Sequence, residues 1–141
     1  PEVNLNSEVH WSVKKSDMYG LSKQIKSCGL VINSCSTISI DGFCAMRPVV
    51  VTGFDGKNAY SKWDSVKRIM NYEHFRKLLD DSPAILVNNF DELLHCLSNN
   101  IAKDGTTFKK ECSTYLSKQI GYTDGKSTER IVSFYTEYVL S

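Results

Sequence analysis

Two short apolar runs constrain this chain more than any other feature: Pro48-Val49-Val50-Val51-Thr52 and Ala84-Ile85-Leu86-Val87. Both are of strand length, and each is followed by a segment of helical periodicity. Short apolar runs alternating with helical segments predict buried strands joined by helical crossovers, which makes the strands parallel. The stretch from Arg47 to Ala102 is therefore expected to fold as strand, helix, strand, helix, and the fold class is α/β.

The rest of the chain is arranged around that unit. Within residues 3–13, Val9, Trp11 and Val13 alternate with His10 and Ser12, the pattern of a half-buried strand. Ser16-Asp17 offers an N-cap for a helix carrying Met18, Leu21, Ile25 and Cys28 on one face, with Gly29 as a left-handed C-terminal residue. Leu30-Val31-Ile32 predicts a strand. Asp41-Gly42, between apolar flanks in Thr37–Cys44, predicts an antiparallel hairpin.

After the Gly53–Tyr60 loop, Ser61-Lys62-Trp63-Asp64 resembles a capping box. It introduces an apolar face of Trp63, Val66, Ile69, Met70, Phe75, Leu78 and Leu79, with a break near Asn71-Tyr72-Glu73. Asn89 with Glu92 caps the next helix, whose stripe is Phe90, Leu93, Leu94, Leu97 and Ile101, ended by Asp104-Gly105. Phe108, Cys112, Tyr115, Leu116 and Ile120 make one further stripe, ended by Gly121. Ile131, Phe134, Tyr135, Tyr138 and Val139 make another. These two predict a C-terminal αα-hairpin covering one face of the sheet. The expected architecture is a single α/β domain over residues 1–141. Its mixed, partly parallel sheet has four or five strands, flanked by about five helices.

Length and composition suit one soluble domain that needs neither disulfides nor metals to hold a core. The chain opens at Pro1, which suggests a piece of a longer protein. No apolar run approaches the roughly 20 residues of a membrane-spanning helix, so no membrane insertion is expected. Five irregularly spaced cysteines and the lack of any Asn-x-Ser/Thr acceptor point to free thiols and a cytoplasmic location. The net charge of +1 is unevenly placed: residues 1–77 carry +4 and residues 78–141 carry −3. That split can orient a partner without being the footprint of a dedicated nucleic-acid binder.

Two candidate sites emerge. Gly53, Asp55, Gly56 and Lys57 sit where an α/β sheet binds ligands, after a buried strand and before a helix, and backbone amides there with Lys57 could hold an anion. Both the phosphate-loop and the dinucleotide patterns fail at this loop, and Asp55-Gly56 also serves as a turn. The second candidate is basic: Lys57, Lys62, Lys67, Arg68, Arg76 and Lys77, opposed by Asp64 and Glu73 and interleaved with Tyr60, Trp63 and Tyr72. Basic residues mixed with aromatics can hold a nucleic-acid backbone and stack bases, or simply form the solvated face of a helix. The cysteine and histidine spacings fit neither a zinc knuckle nor a local nucleophile signature, so no metal, cofactor or catalytic residue is assigned.

Two fragments resemble the C-terminal cytosolic region of the large multidomain coronavirus replicase subunit. One is Trp11-Ser12-Val13-Lys14 with Leu21-Ser22-Lys23-Gln24-Ile25-Lys26-Ser27, the other Phe54-Asp55-Gly56-Lys57. They stand in the opposite order to that family and cover little of the chain, so no residue role is carried over. The resemblance implies a cytosolic domain of a viral replicase polyprotein. The residues themselves favour a non-catalytic interaction module of a larger protein, binding a protein partner or RNA through the basic helix and adjoining loop. The competing expectation is a small enzyme built on the Gly53–Lys57 loop.

Overall fold

The computed structural model describes residues 14–56, 61–99 and 105–139. In chain order its elements are α1 (Lys15–Ser27), β1 (Val31–Asn33), α2 (Ile38–Cys44), β2 (Val49–Thr52) and α3 (Val66–Met70). There follow α4 (Glu73–Asp81), β3 (Ile85–Val87), α5 (Phe90–Ser98), α6 (Gly105–Gln119) and α7 (Ser127–Tyr138). The strand expected within residues 3–13 lies outside the described residues, as do Lys57, Tyr60, Ile101 and Asp104.

The two apolar runs are parallel strands, as expected. Among the described residues the sheet has three strands in the order β1-β2-β3. Val31 pairs with Val49 and Asn33 with Val51, while Val50 pairs with Ile85 and Thr52 with Val87. The central strand is buried along Val49, Val50 and Val51, which is why it carries an unbroken valine run instead of an alternating pattern. Leu86 on the edge strand is partly exposed.

Residues 37–44 correct the expected antiparallel hairpin. They form α2, and the crossover from β1 to β2 runs through it. Asp41 lies in the first turn of that helix, where a negative charge is favourable. Gly42 serves close approach: a Cβ there would stand 2.9 Å from Val49 Cγ2 and 3.3 Å from Val31 Cγ2. The helix then ends without glycine. Arg47 N–H donates to the Gly42 carbonyl at 2.8 Å and Met46 N–H to that of Phe43 at 2.9 Å, with Met46 at φ 53. This is a Schellman ending with methionine in the left-handed position.

One face of the sheet carries the core. Val31, Val49 and Val51 pack with Ile25 of α1, Phe43 of α2, Phe75 and Leu78 of α4, and Phe108, Cys112, Tyr115 and Leu116 of α6. Phe43 and Tyr115 meet edge to face, centroids 5.5 Å apart at 76°. Successive crossovers in one direction put their helices on the same side, so α2 and α4 share this face.

Several boundaries differ from the sequence reading. The helix α1 is capped at Lys14, whose N–H donates to Asp17 Oδ2 at 3.0 Å, so Asp17 reaches back from the first turn. It ends at Cys28 in extended conformation, and Gly29 is not left-handed. Gly105 opens α6 and does not close α5, which ends at Asn99. Gly121 (φ 71) does end α6. The expected C-terminal cover reduces to α6 alone, because α7 has no buried residue. No helix among the described residues is long and apolar enough to cross a membrane.

Candidate functional site

The loop after β2 is bound into the fold. Gly53 is buried and its N–H donates to the Val87 carbonyl at 2.8 Å. A Cβ at Gly53 would lie 2.9 Å from Leu86 Cδ1 and 3.0 Å from Met70 Cε, so any larger residue there would have to displace the ends of those two flexible side chains. Asp55 turns its carboxylate onto the start of α3. Its Oδ1 accepts the Val66 N–H at 2.8 Å and its Oδ2 accepts the Ser65 hydroxyl at 2.5 Å. These bonds, the Ser65 hydroxyl first, hold the Asp55 carboxyl below its ordinary range. A side chain of the protein thus takes the amide that was expected to meet an anion. Gly56 is exposed with open space around it, and Lys57 lies outside the described residues.

The basic segment is built differently from its expected form. The central helix is two helices, α3 and α4, broken at the expected place near Asn71-Tyr72. Ser61-Lys62-Trp63-Asp64 is a turn ahead of the helix and not its first residues. The Asp64 and Ser65 N–H groups both donate to the Ser61 carbonyl at 3.1 Å, and the Ser61 hydroxyl meets Asp64 Oδ2 at 2.6 Å. The helix starts at Val66 with Ser65 as its cap. Trp63 therefore falls out of phase with Val66, Ile69 and Met70, and is 73% exposed where the sequence placed it on the apolar face.

Around Trp63 the structure assembles a ladder. The Arg68 guanidinium lies 5.7 Å from the Trp63 ring centroid and 6.0 Å from that of Tyr72. Its Nη1 donates to the Tyr72 hydroxyl at 3.0 Å. Tyr72 stacks in turn on His74, centroids 6.0 Å apart and planes 28° from parallel. Arg68 Nε is buried without a hydrogen-bond partner, so the guanidinium is positioned by its two rings and the phenol.

Lys62, Lys67 and Arg76 are exposed, and no ion pair holds them among the described residues. Lys77 is different. It pairs with Glu73 at 2.8 Å one turn back, leaving it less available than its neighbours. The structure thus gathers Trp63, Arg68 and Tyr72, leaves Lys62, Lys67 and Arg76 open on the same α3–α4 segment, and neutralises Lys77. His74, the far end of the ladder, was missed in the sequence. Its only signal was its place two residues after Tyr72.

A concavity, also missed, lies between α1 and α2. It measures about 210 Å³ and is lined by Met18, Leu21, Ile25, Asp41 and Cys44 among others. Burial pushes the Asp41 carboxyl and the Cys44 thiol up, the latter helped by the Asp41 charge. All five cysteines stand as free thiols, and no group of residues among those described could hold a metal ion. His95 is exposed and Cys96 half-buried on α5, as their adjacent helical positions demand. No family model, no curated protein and no solved structure matches this chain.

Proposed function

We propose that this domain is an interaction module of a larger protein, cytosolic in setting, that binds the phosphodiester backbone of RNA through the Lys62–Arg76 surface. One observation carries the reading. Lys62, Lys67 and Arg76 are exposed and in no ion pair among the described residues, on the same segment as an arginine whose guanidinium lies within about 6 Å of two aromatic rings. Exposed cations not committed to ion pairs are what a polyanion recruits, because each phosphate contact releases condensed counterions. Residues 61–77 hold five Lys/Arg against Asp64 and Glu73, so the excess is local although the whole chain is almost neutral.

The test is a salt titration of RNA binding, followed by fluorescence anisotropy, for the parent chain and for Lys62→Glu/Lys67→Glu. Both lysines are exposed, so folding is retained. The parent is expected to bind at low salt with a steep salt dependence. The double variant should bind more weakly, its slope reduced by about one for each lysine that meets a phosphate. Equal affinity and slope in the two proteins would remove this surface.

A second reading, a protein partner, is supported by α7, which leaves Ile131, Phe134, Tyr135 and Tyr138 exposed along one helical stripe.

A further inference from the structure

Trp63 poses the sharper question. Its indole stands at the tip of a turn closed by hydrogen bonds, so its exposure belongs to an ordered segment. An exposed indole costs hydration free energy that an inward rotamer would recover, yet among the described residues its ring contact is with the Arg68 guanidinium. With that contact in place the residue is still 73% exposed. Tyr72 is 43% exposed and lies across the same guanidinium. The result is two exposed aromatic groups that share one guanidinium, with Lys62 and Lys67 on the same segment.

Resting on the reading of this surface as a backbone-binding one, we infer that Trp63 and Tyr72 form a stacking platform for unpaired bases, so that the surface selects single-stranded over duplex nucleic acid. The chemistry is specific to that class. Every base has an apolar π-face, but a duplex buries those faces against neighbouring bases and offers only groove edges and phosphates. Exposed rings beside lysines therefore add affinity only for a strand whose bases are free, and they add it with little sequence preference. An acidic peptide would answer the charge but leave the ring faces unused. Because Arg68 already contacts both rings and is bonded to the Tyr72 hydroxyl, little ordering remains to be done on binding.

The experiment compares a fluorescein-labelled RNA strand of about ten nucleotides, a length that suits one such surface, with its blunt duplex, for the parent, Trp63→Ala and Trp63→Phe. The parent is expected to bind the single strand more tightly than the duplex at equal salt. Trp63→Ala should lower single-strand affinity by about 5- to 100-fold, leaving the salt slope and the duplex affinity unchanged. Trp63→Phe should restore most of the loss, and 2-aminopurine in the strand should be quenched less by Trp63→Ala than by the parent, with Tyr72 remaining as the second ring.

Equal binding of strand and duplex, with Trp63→Ala silent, would overturn the stacking inference and leave the backbone-binding reading standing. No binding of either at low salt would overturn both. Displacement of the strand by polyglutamate at equal charge, undiminished by Trp63→Ala, would overturn the inference in favour of an acidic protein partner.

Discussion

Asp55 caps a helix that begins eleven residues later, its Oδ1 accepting the Val66 N–H at 2.8 Å while its Oδ2 holds the hydroxyl of Ser65. Ser65 in turn accepts the Lys67 N–H at 3.2 Å, so the first amides of α3 are satisfied in relay. The bond ties the loop after β2 to the segment that carries the basic surface.

The pH dependence of folding should register this cap. The Ser65 hydroxyl, the Val66 N–H and the charge of Lys67 depress the Asp55 carboxyl below its ordinary value near 3.8. A depressed folded-state value means that the contribution is complete above the unfolded-state value and is lost as pH falls through the folded one. Asp55→Asn should therefore melt several degrees below the parent at neutral pH, and the gap should narrow as pH falls below about 3.8. Parallel melting curves across that range would show that the carboxylate contributes nothing as an ion.

Two helical glycines should respond to alanine with opposite signs. Gly20 lies inside α1 with nothing within 4 Å of a built Cβ. Gly20→Ala should stabilise by up to about 1 kcal/mol, the propensity difference alone. At Gly42 the same gain of about 1 kcal/mol meets a Cβ position 2.9 Å from Val49 and 3.3 Å from Val31, both buried and both stiff at χ1. Overpacking of a core costs about 1–3 kcal/mol, so the clash wins and Gly42→Ala should be net destabilising. Chemical denaturation of both variants decides it. A stabilised Gly42→Ala would mean that α2 can draw back from the sheet at little cost.

The same glycine shows where sequence reasoning stopped. Strand–helix alternation was legible because apolar runs and helical periods are local properties, and β2 with β3 stands where the valine and isoleucine runs put it. Asp41-Gly42 was not, because its reason is contact with Val31 and Val49 across space, which a dipeptide pattern cannot express. The left-handed residue that ends α2 is Met46, at φ 53, and no compositional signal marks a methionine for that role. The basic residues of the site were visible as charges. The ladder was not, since the helical period carried Trp63 onto the apolar face and only the later start at Val66 turns it outward. Stripes such as Phe90, Leu94 and Leu97 on α5 follow their helical period but remain exposed, for periodicity reports an apolar face and not whether anything covers it.

The last helix separates electrostatic order from stability. Arg130 grips Asp124 in a fork, Nη1 to Oδ1 at 3.0 Å and Nη2 to Oδ2, and its guanidinium lies 3.9 Å over the Tyr122 ring. With the Lys126 N–H also donating to Oδ1 at 3.1 Å, the Asp124 carboxyl is held down to about 2, the arginine being the largest cause. Both side chains are substantially exposed and α7 buries no residue, so screening by water leaves the pair little influence on global unfolding. Carboxylate NMR should find Asp124 titrating near 2 in the parent, and Arg130→Gln should move it up towards its ordinary value near 3.8. At neutral pH the melting temperature of the variant should match the parent, because the side chains that fill the core belong to α1, α2, α4, α6 and the sheet. An unmoved Asp124 would place its low value elsewhere than in Arg130. A large drop in melting temperature would show that the turn before α7 is coupled to the core, against the exposure of every α7 side chain that the fold leaves uncovered.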